Sequence, residues 1–204
     1  MSEITSIIFD LGGVLLNLDI KRAHDQFRKL GVHNIEELFR FGHGSAVFTD
    51  YEGGLINDEQ FIASLKGLTG IDISDQQIIE SWNAMLLDFP KERIDFVKDL
   101  KKKYRLFLFS NTNAIHLEFF RQIYRKSIGD TSLDELFEKA YYSHLIKMRK
   151  PDLAAFEFIL KDNNLKASET AFVDDSLVNV EAACKVGIKG IHLEPGMDVV
   201  DLEI

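Results

Sequence analysis

The chain has a single cysteine, so no intrachain disulfide can form. Cys184 lies in the apolar helical pattern Val180-Glu181-Ala182-Ala183-Cys184-Lys185-Val186, where a packed structural thiol is expected rather than a nucleophile. No apolar run approaches the length of a membrane-spanning helix, which argues against a membrane partner. The opening Met1-Ser2-Glu3-Ile4-Thr5 lacks the basic region and cleavage pattern of a secretory signal, so a cytoplasmic location is the expectation. Basic side chains are in deficit, 24 against 33 acidic ones, for a net charge of −9. That balance argues against nonspecific nucleic-acid binding, which rests on a basic patch. An anionic substrate would need local positive charge from a lysine, from helix amino termini or from a bound cation. Internal repeats and low-complexity segments are also missing. What remains is 204 residues, 46% apolar and 28% charged, enough to bury one core or one domain carrying an insertion.

The chain is organised around Ile7-Ile8-Phe9-Asp10-Leu11-Gly12-Gly13-Val14-Leu15. A short apolar run stops at one carboxylate and then at two glycines, which predicts a buried strand with Asp10 at its carboxyl end. From Leu16 to about Pro90 the signals are helical. Ile20 to Leu30 is periodic and stops at Gly31, and Asn34 can cap the helix that opens at Ile35. Asn57 with Gln60, and Ser74 with Gln77, are patterned as capping boxes before Phe61 to Leu65 and Ile78 to Leu87. From Pro90 onward helix and strand alternate. Strands are predicted at Leu106–Phe109, Ala140–Tyr142, Ala171–Val173 and Gly190–Leu193, with helix-length segments between them. Such alternation implies an α/β fold, a doubly wound parallel sheet built by right-handed crossovers. The helical stretch is then an insertion after the first strand.

Four polar positions fall at strand ends or helix starts: Asp10, Ser110-Asn111, Lys150 and Asp174-Asp175. Singly, each has a plain structural reading. Ser110 or Asn113 can cap the following helix, Lys150 can be a solvated lysine before Pro151, and an Asp-Asp pair is commonly a turn. All four, however, can fall on one rim of one sheet. Three carboxylates brought together either take up protons or share a cation. An oxygen-only set with no His or Cys favours a hard ion such as Mg²⁺. Lys150, the Ser110 hydroxyl and the amides after Asp10 would hold an anion against it, and a phosphate suits that space, helped by helix amino termini. Asp10 could then attack phosphorus as a carboxylate nucleophile and form an aspartyl-phosphate.

These motifs, in this order, resemble the haloacid dehalogenase superfamily of phosphatases: Phe9-Asp10-Leu11-Gly12-Gly13-Val14, Leu108-Phe109-Ser110-Asn111-Thr112, Arg149-Lys150-Pro151-Asp152 and Phe172-Val173-Asp174-Asp175-Ser176. The resemblance implies a Rossmann-like catalytic core over residues 1–15 and 88–204, and a helical cap over 16–87 that closes on the substrate. It also implies Asp10 as nucleophile and Mg²⁺ ligand, and Ser110 and Lys150 on the phosphoryl group. The Gly12 carbonyl and Asp175 would bind metal, and Asp174 would act through water. Asn111, beside Ser110, is a candidate phosphate contact.

One position departs from the family pattern. Where its phosphatases usually carry a general acid two residues after the nucleophile, this chain has Gly12. The form Asp-Leu-Gly-x-Val, with the segment from Phe48 to Phe61, is similar to bacterial sugar-1-phosphate phosphatases of the α-D-glucose-1-phosphate type. Without that acid an easily departing anomeric oxygen would help, so a small phosphorylated metabolite such as a sugar 1-phosphate is the expected substrate. His43, Tyr51 and Glu52 could face it from the cap, with His43 or Glu52 replacing the missing acid; solvated loop positions are the plainer reading. Phe39, Phe41, Phe48 and Trp82 read as the cap's own core, and Lys101-Lys102-Lys103 as a solvated helix end. Two alternatives stay open: a 2-haloacid dehalogenase-type hydrolase, against which the Asp174-Asp175 pair argues, and a non-catalytic protein that binds a phosphorylated metabolite.

Overall fold

A computed structural model of the protein describes residues 3–38, 46–129 and 131–202. The first strand, β1 (Ser6–Phe9), is followed, among the described residues, by α1 (Ile20–Lys29), α2 (Ile35–Leu38), α3 (Val47–Glu52), α4 (Asp58–Thr69) and α5 (Asp75–Asn83). Then come α6 (Lys91–Leu100), β2 (Arg105–Ser110), α7 (Ala114–Ile128), β3 (Lys139–Tyr142), α8 (Ser143–Ile146) and α9 (Leu153–Asp162). The chain finishes through β4 (Thr170–Asp174), α10 (Leu177–Lys185) and β5 (Lys189–His192). The five strands form one parallel sheet in the order β3-β2-β1-β4-β5. This is the doubly wound α/β architecture expected from the alternation. The strand order reverses at β1, and ligand sites of such sheets lie at the carboxyl ends beside that switch.

Period-two side-chain alternation sorts the strand residues onto two faces. Ile7, Phe9, Leu106, Leu108, Ala171 and Val173 enter one buried cluster, which also takes in the inserted helices. Ile8, Phe107, Phe109, Tyr141 and Phe172 enter the other, against Phe156 and Ile159 of α9 and Ala182 and Ala183 of α10. There Phe156 meets Phe109 and Phe172 edge to face, at centroid distances of 5.5 and 5.1 Å. Such pairs each contribute about 0.5–1.5 kcal/mol beyond their buried area.

The inserted helices are local sequence made visible. Both expected capping boxes form, Asn57 with Gln60 and Ser74 with Gln77. Such N-caps are typically worth about 1 kcal/mol each. Phe48 and Trp82 pack on Phe61, at 5.7 and 5.6 Å between centroids, as expected of a helical core. Phe39, Phe41 and His43 lie outside the described residues. The helix expected to reach Leu87 stops at Asn83. The chain after it is needed elsewhere: Leu86 bridges Leu18, Leu87 N–H donates to the Asn17 carbonyl at 3.0 Å, and Asn17 N–H donates to the Asp88 carbonyl at 2.9 Å. The segments that enter and leave the insertion thus run side by side. Cys184 is a correction: the residue is exposed, while Val180, Ala182 and Ala183 are the buried positions of α10, and its sulfur sits over Gly190 of β5.

Candidate active site

Register brings the first two carboxylates together. Phe9 lies opposite Val173, and the Asp10 amide donates to the Val173 carbonyl at 2.9 Å, so Asp10 and Asp174 leave β1 and β4 side by side. Asp174 is fully buried. Its carboxylate accepts from the Ser176 amide at 2.7 Å and from Asn179 Nδ2 at 3.2 and 3.1 Å. Asp175, the next residue, is exposed at the rim. One carboxylate oxygen from each of the three lies within 4.8 Å of the others. Gly13 makes room for this cluster: its φ is +78°, and a Cβ there would come within 2.3 Å of Asp175 Oδ2. Backbone conformation and contact both require glycine at that turn.

Lys150 is not a solvated lysine. It is 1% exposed, and its Nζ lies 2.6 Å from Asp10 Oδ1 and 2.7 Å from Asp174 Oδ2, beneath the rings of Phe109 and Phe172. Asn111 holds the lysine's backbone from both sides: Nδ2 donates to the Lys150 carbonyl and Oδ1 accepts the Lys150 amide, each at 2.9 Å. The peptide bond from Lys150 to Pro151 is cis. Asn113, not Ser110, caps α7, accepting the His116 amide at 2.9 Å. Ser110 is buried, ends β2 and lines the cleft.

Electrostatics follow from this packing. Burial pushes the Asp10 carboxyl up to about 7, with Lys150 opposing and Asp174 adding to the rise. Burial also raises Asp175, with Asp174 contributing. Burial alone would lower Lys150, but the two carboxylates outweigh it and raise its pKa. Three carboxylates against one ammonium leave an excess of negative charge. The donors are oxygens, and one of the three carboxylates is exposed at the rim. That set fits a hard divalent cation and offers nothing to a soft one.

A cleft of about 230 Å³ opens here, lined by Asp10, Gly12, Ser110, Asn111, Lys150 and Asp175 from the sheet edge. Glu52, Trp82 and Met85 line it from the inserted segment. Glu52 ends α3 and accepts from Arg149 Nη2 at 2.9 Å. Tyr51 is turned away into the packing: its hydroxyl donates to Asp58 at 2.7 Å and accepts the Ile115 amide at 3.2 Å. Three participants escaped the sequence reading. Arg149 pairs with a glutamate 97 positions earlier. Asn179 orients Asp174 from the first turn of α10. His116 lines the cleft, stacked on Trp82 at 4.5 Å between centroids. Asn179 left a signal as a polar residue early in the helix after the acidic pair, and Arg149 stood in the third motif beside Lys150.

An all-oxygen acidic cluster with a buried lysine, at the carboxyl edge of such a sheet, is the arrangement of a metal-assisted hydrolase. The family model for haloacid dehalogenase-like hydrolases matches residues 4–187, and the chain belongs to that family. It is similar to the D-ribitol-5-phosphate phosphatase of Bacteroides thetaiotaomicron, 28% identical over 195 residues that cover 96% of this chain and 94% of that protein. A family enzyme of Bacteroides thetaiotaomicron was solved as an aspartate-to-alanine variant in complex with magnesium and inorganic phosphate. It superposes with a TM-score of 0.91 at 34% identity, over 96% of each chain. A predicted HAD-like family hydrolase of Porphyromonas gingivalis gives 0.87 at 32%, over 96% of this chain and 93% of that one.

Proposed function

We propose that the protein is a Mg²⁺-dependent phosphatase that hydrolyses a small phosphorylated metabolite through an aspartyl-phosphate on Asp10. The observation that carries this reading is the convergence of Asp10, Lys150, Asp174 and Asp175 at the edge of β1 and β4. Asp10, Asp175 and the Gly12 carbonyl would hold the cation, with Asp174 acting through water. When bound, Mg²⁺ offsets the charge of the phosphoryl oxygens and polarises phosphorus. The Asp10 carboxylate forms the bond to phosphorus as the bond to the leaving oxygen breaks, and water then releases phosphate and restores Asp10. Lys150 keeps Asp10 oriented and, with the Ser110 hydroxyl and the amides after Asp10, holds the phosphoryl group. Asn111 fixes Lys150 from behind and abuts the same group. Residues 16–87 act as the cap, with Glu52 facing the substrate.

The substrate is a sugar phosphate in this reading. Gly12 favours a sugar 1-phosphate, whose anomeric oxygen leaves readily. The ribitol 5-phosphate named for the Bacteroides relative favours a second form, an open-chain polyol ester. The test is phosphate release from p-nitrophenyl phosphate and a panel of sugar and polyol phosphates, with Mg²⁺ and with chelator. Turnover should require Mg²⁺ and should vanish in Asp10→Asn, because an amide is a poor nucleophile. Near-normal turnover by that variant, free of wild type and of deamidation, would refute the mechanism. Ligand binding without any turnover would point to a binding protein.

A further inference from the structure

The oxygen that departs from an alkyl phosphate leaves as a costly alkoxide unless a positioned group gives it a proton. Five titratable side chains line the cleft among the described residues: Asp10, Glu52, His116, Lys150 and Asp175. Asp10 is the nucleophile of the proposed function, and Asp175 belongs to the cation cluster. Lys150 Nζ is held between Asp10 and Asp174. His116 Nε2 sits 3.2 Å from the Trp82 carbonyl, so that nitrogen carries the hydrogen and donates it there. Burial lowers the imidazole to about 4, which leaves it neutral and without a proton to spare near pH 7. Glu52 remains.

Its position is built by the fold. Glu52 is the last residue of α3, and Tyr51 before it ties that helix to the amino-terminal turn of α7 through the Ile115 amide at 3.2 Å. The Glu52 side chain is 13% exposed and enters the same cleft as Asp10 and Ser110. Arg149 engages it through one carboxylate oxygen, Oε2, and not in the two-pronged clamp that would fix both. Arg149 directly precedes Lys150, so the pair sets Glu52 beside the residue that holds the phosphoryl group.

We propose that Glu52 is the acid–base residue of this reaction, a step that rests on the phosphatase reading above. As the Asp10–phosphorus bond forms and the bond from phosphorus to the leaving oxygen breaks, the Glu52 carboxyl proton passes to that oxygen and the free alcohol departs. The Glu52 carboxylate then takes a proton from the water that attacks the aspartyl-phosphate, which releases phosphate and restores both carboxyl groups. The protein environment suits the first of these tasks. Burial is the largest influence on Glu52 and raises its pKa; Arg149 and Lys150, the charged groups that bear on it, oppose the rise without cancelling it. With the proton supplied from the cap, Gly12 no longer restricts the enzyme to easily departing groups, and open-chain polyol esters become substrates alongside anomeric ones.

The test is Glu52→Gln, which keeps the shape and an acceptor for Arg149. We would measure kcat/KM with Mg²⁺ for p-nitrophenyl phosphate, a sugar 1-phosphate and ribitol 5-phosphate, since kcat/KM reports the steps through departure of the alcohol. The aryl ester should stay within a few-fold of wild type, while the alkyl ester should fall by about 10²–10⁴-fold. The plot of log kcat/KM against leaving-group pKa should steepen accordingly. Equal losses on all esters would mean that Glu52 only holds Arg149 and the cap in place, and would overturn the proposal, as would no loss on any. If wild type itself released no phosphate from p-nitrophenyl phosphate with Mg²⁺, the phosphatase reading would fall first, and the Glu52 assignment with it.

Discussion

Replacing Lys150 by methionine removes one positive charge and little volume, from a site where the charge has no substitute. The ammonium is 1% exposed and lies within 2.7 Å of two carboxylates that are themselves buried. Its loss leaves Asp10 and Asp174 facing each other without a counter-ion. Removing one partner of a buried ion pair costs roughly 3–5 kcal/mol, because the remaining charge stays desolvated. Methionine would pack acceptably under Phe109 and Phe172, so little of that cost is recovered or added by shape. For a chain of this size each kcal/mol moves Tm by roughly 2–4 °C, so the variant should melt about 6–20 °C lower in chelator. Magnesium should then act more strongly on the variant than on wild type. Binding to the native state stabilises it by RT ln(1 + [L]/Kd), and the variant's cluster has one more uncompensated negative charge. The measurement is thermal unfolding at pH 7.5, in chelator and across a Mg²⁺ titration. A Tm within 2 °C of wild type in chelator, or a smaller Mg²⁺-induced rise in the variant, would refute the view that Lys150 is the internal counter-ion of the acidic cluster.

The two aspartates of the acidic pair should separate by function. Asp175 is exposed at the rim, so Asp175→Ala should raise the Mg²⁺ needed for turnover strongly while leaving Tm in chelator nearly unchanged. Asp174 is buried with Lys150, Ser176 and Asn179 on its oxygens, so Asp174→Ala should lower Tm and shift the Mg²⁺ requirement less, roughly 10–100-fold. Equal Mg²⁺ shifts would reverse the assignment within the pair. His116 should make the protein sensitive to acid. Its folded pKa is lowered to about 4 by burial, so between about pH 6.5 and 4 the unfolded chain binds the proton and the native state does not. Stability from this residue is therefore full above pH 6.5 and is lost as pH falls toward 4, by about 3 kcal/mol in all. His116→Phe should flatten that slope in unfolding measurements across this range; an unchanged slope would show the imidazole is not responsible. At Gly12 a Cβ would come 2.6 Å from Leu18 Cδ1, the far end of a side chain that is 39% exposed and free to swing out. Gly12→Asp should therefore fold, and in the Glu52→Gln background it should regain part of the alkyl-ester turnover. A folded double variant with no regain would show that a carboxyl at this position does not reach the leaving oxygen.

The sequence by itself determined what depends on near neighbours. Apolar runs ending at Asp10, Ser110 and Asp174 located the strands and put their polar ends on one rim, because side-chain period and strand length are local properties. The capping boxes at Asn57 and Ser74 fixed two helix starts for the same reason. Oxygen-only donors already pointed to a hard cation. Tertiary structure decided everything that depends on burial and on approach from afar. It made Lys150, which read as a phosphate-holding lysine or, more plainly, a solvated one, a buried counter-ion, and it committed both ends of the Asn111 amide to the lysine's backbone. It left Cys184 exposed, next to the buried Ala182 and Ala183. Above all it joined Glu52 to Arg149 across 97 positions of chain. No periodicity encodes that contact, because it exists only when the inserted helices dock on the sheet's edge. The acid missing at Gly12 was visible in one dimension, with His43 and Glu52 as candidate replacements; the pairing of Glu52 with Arg149 needed three.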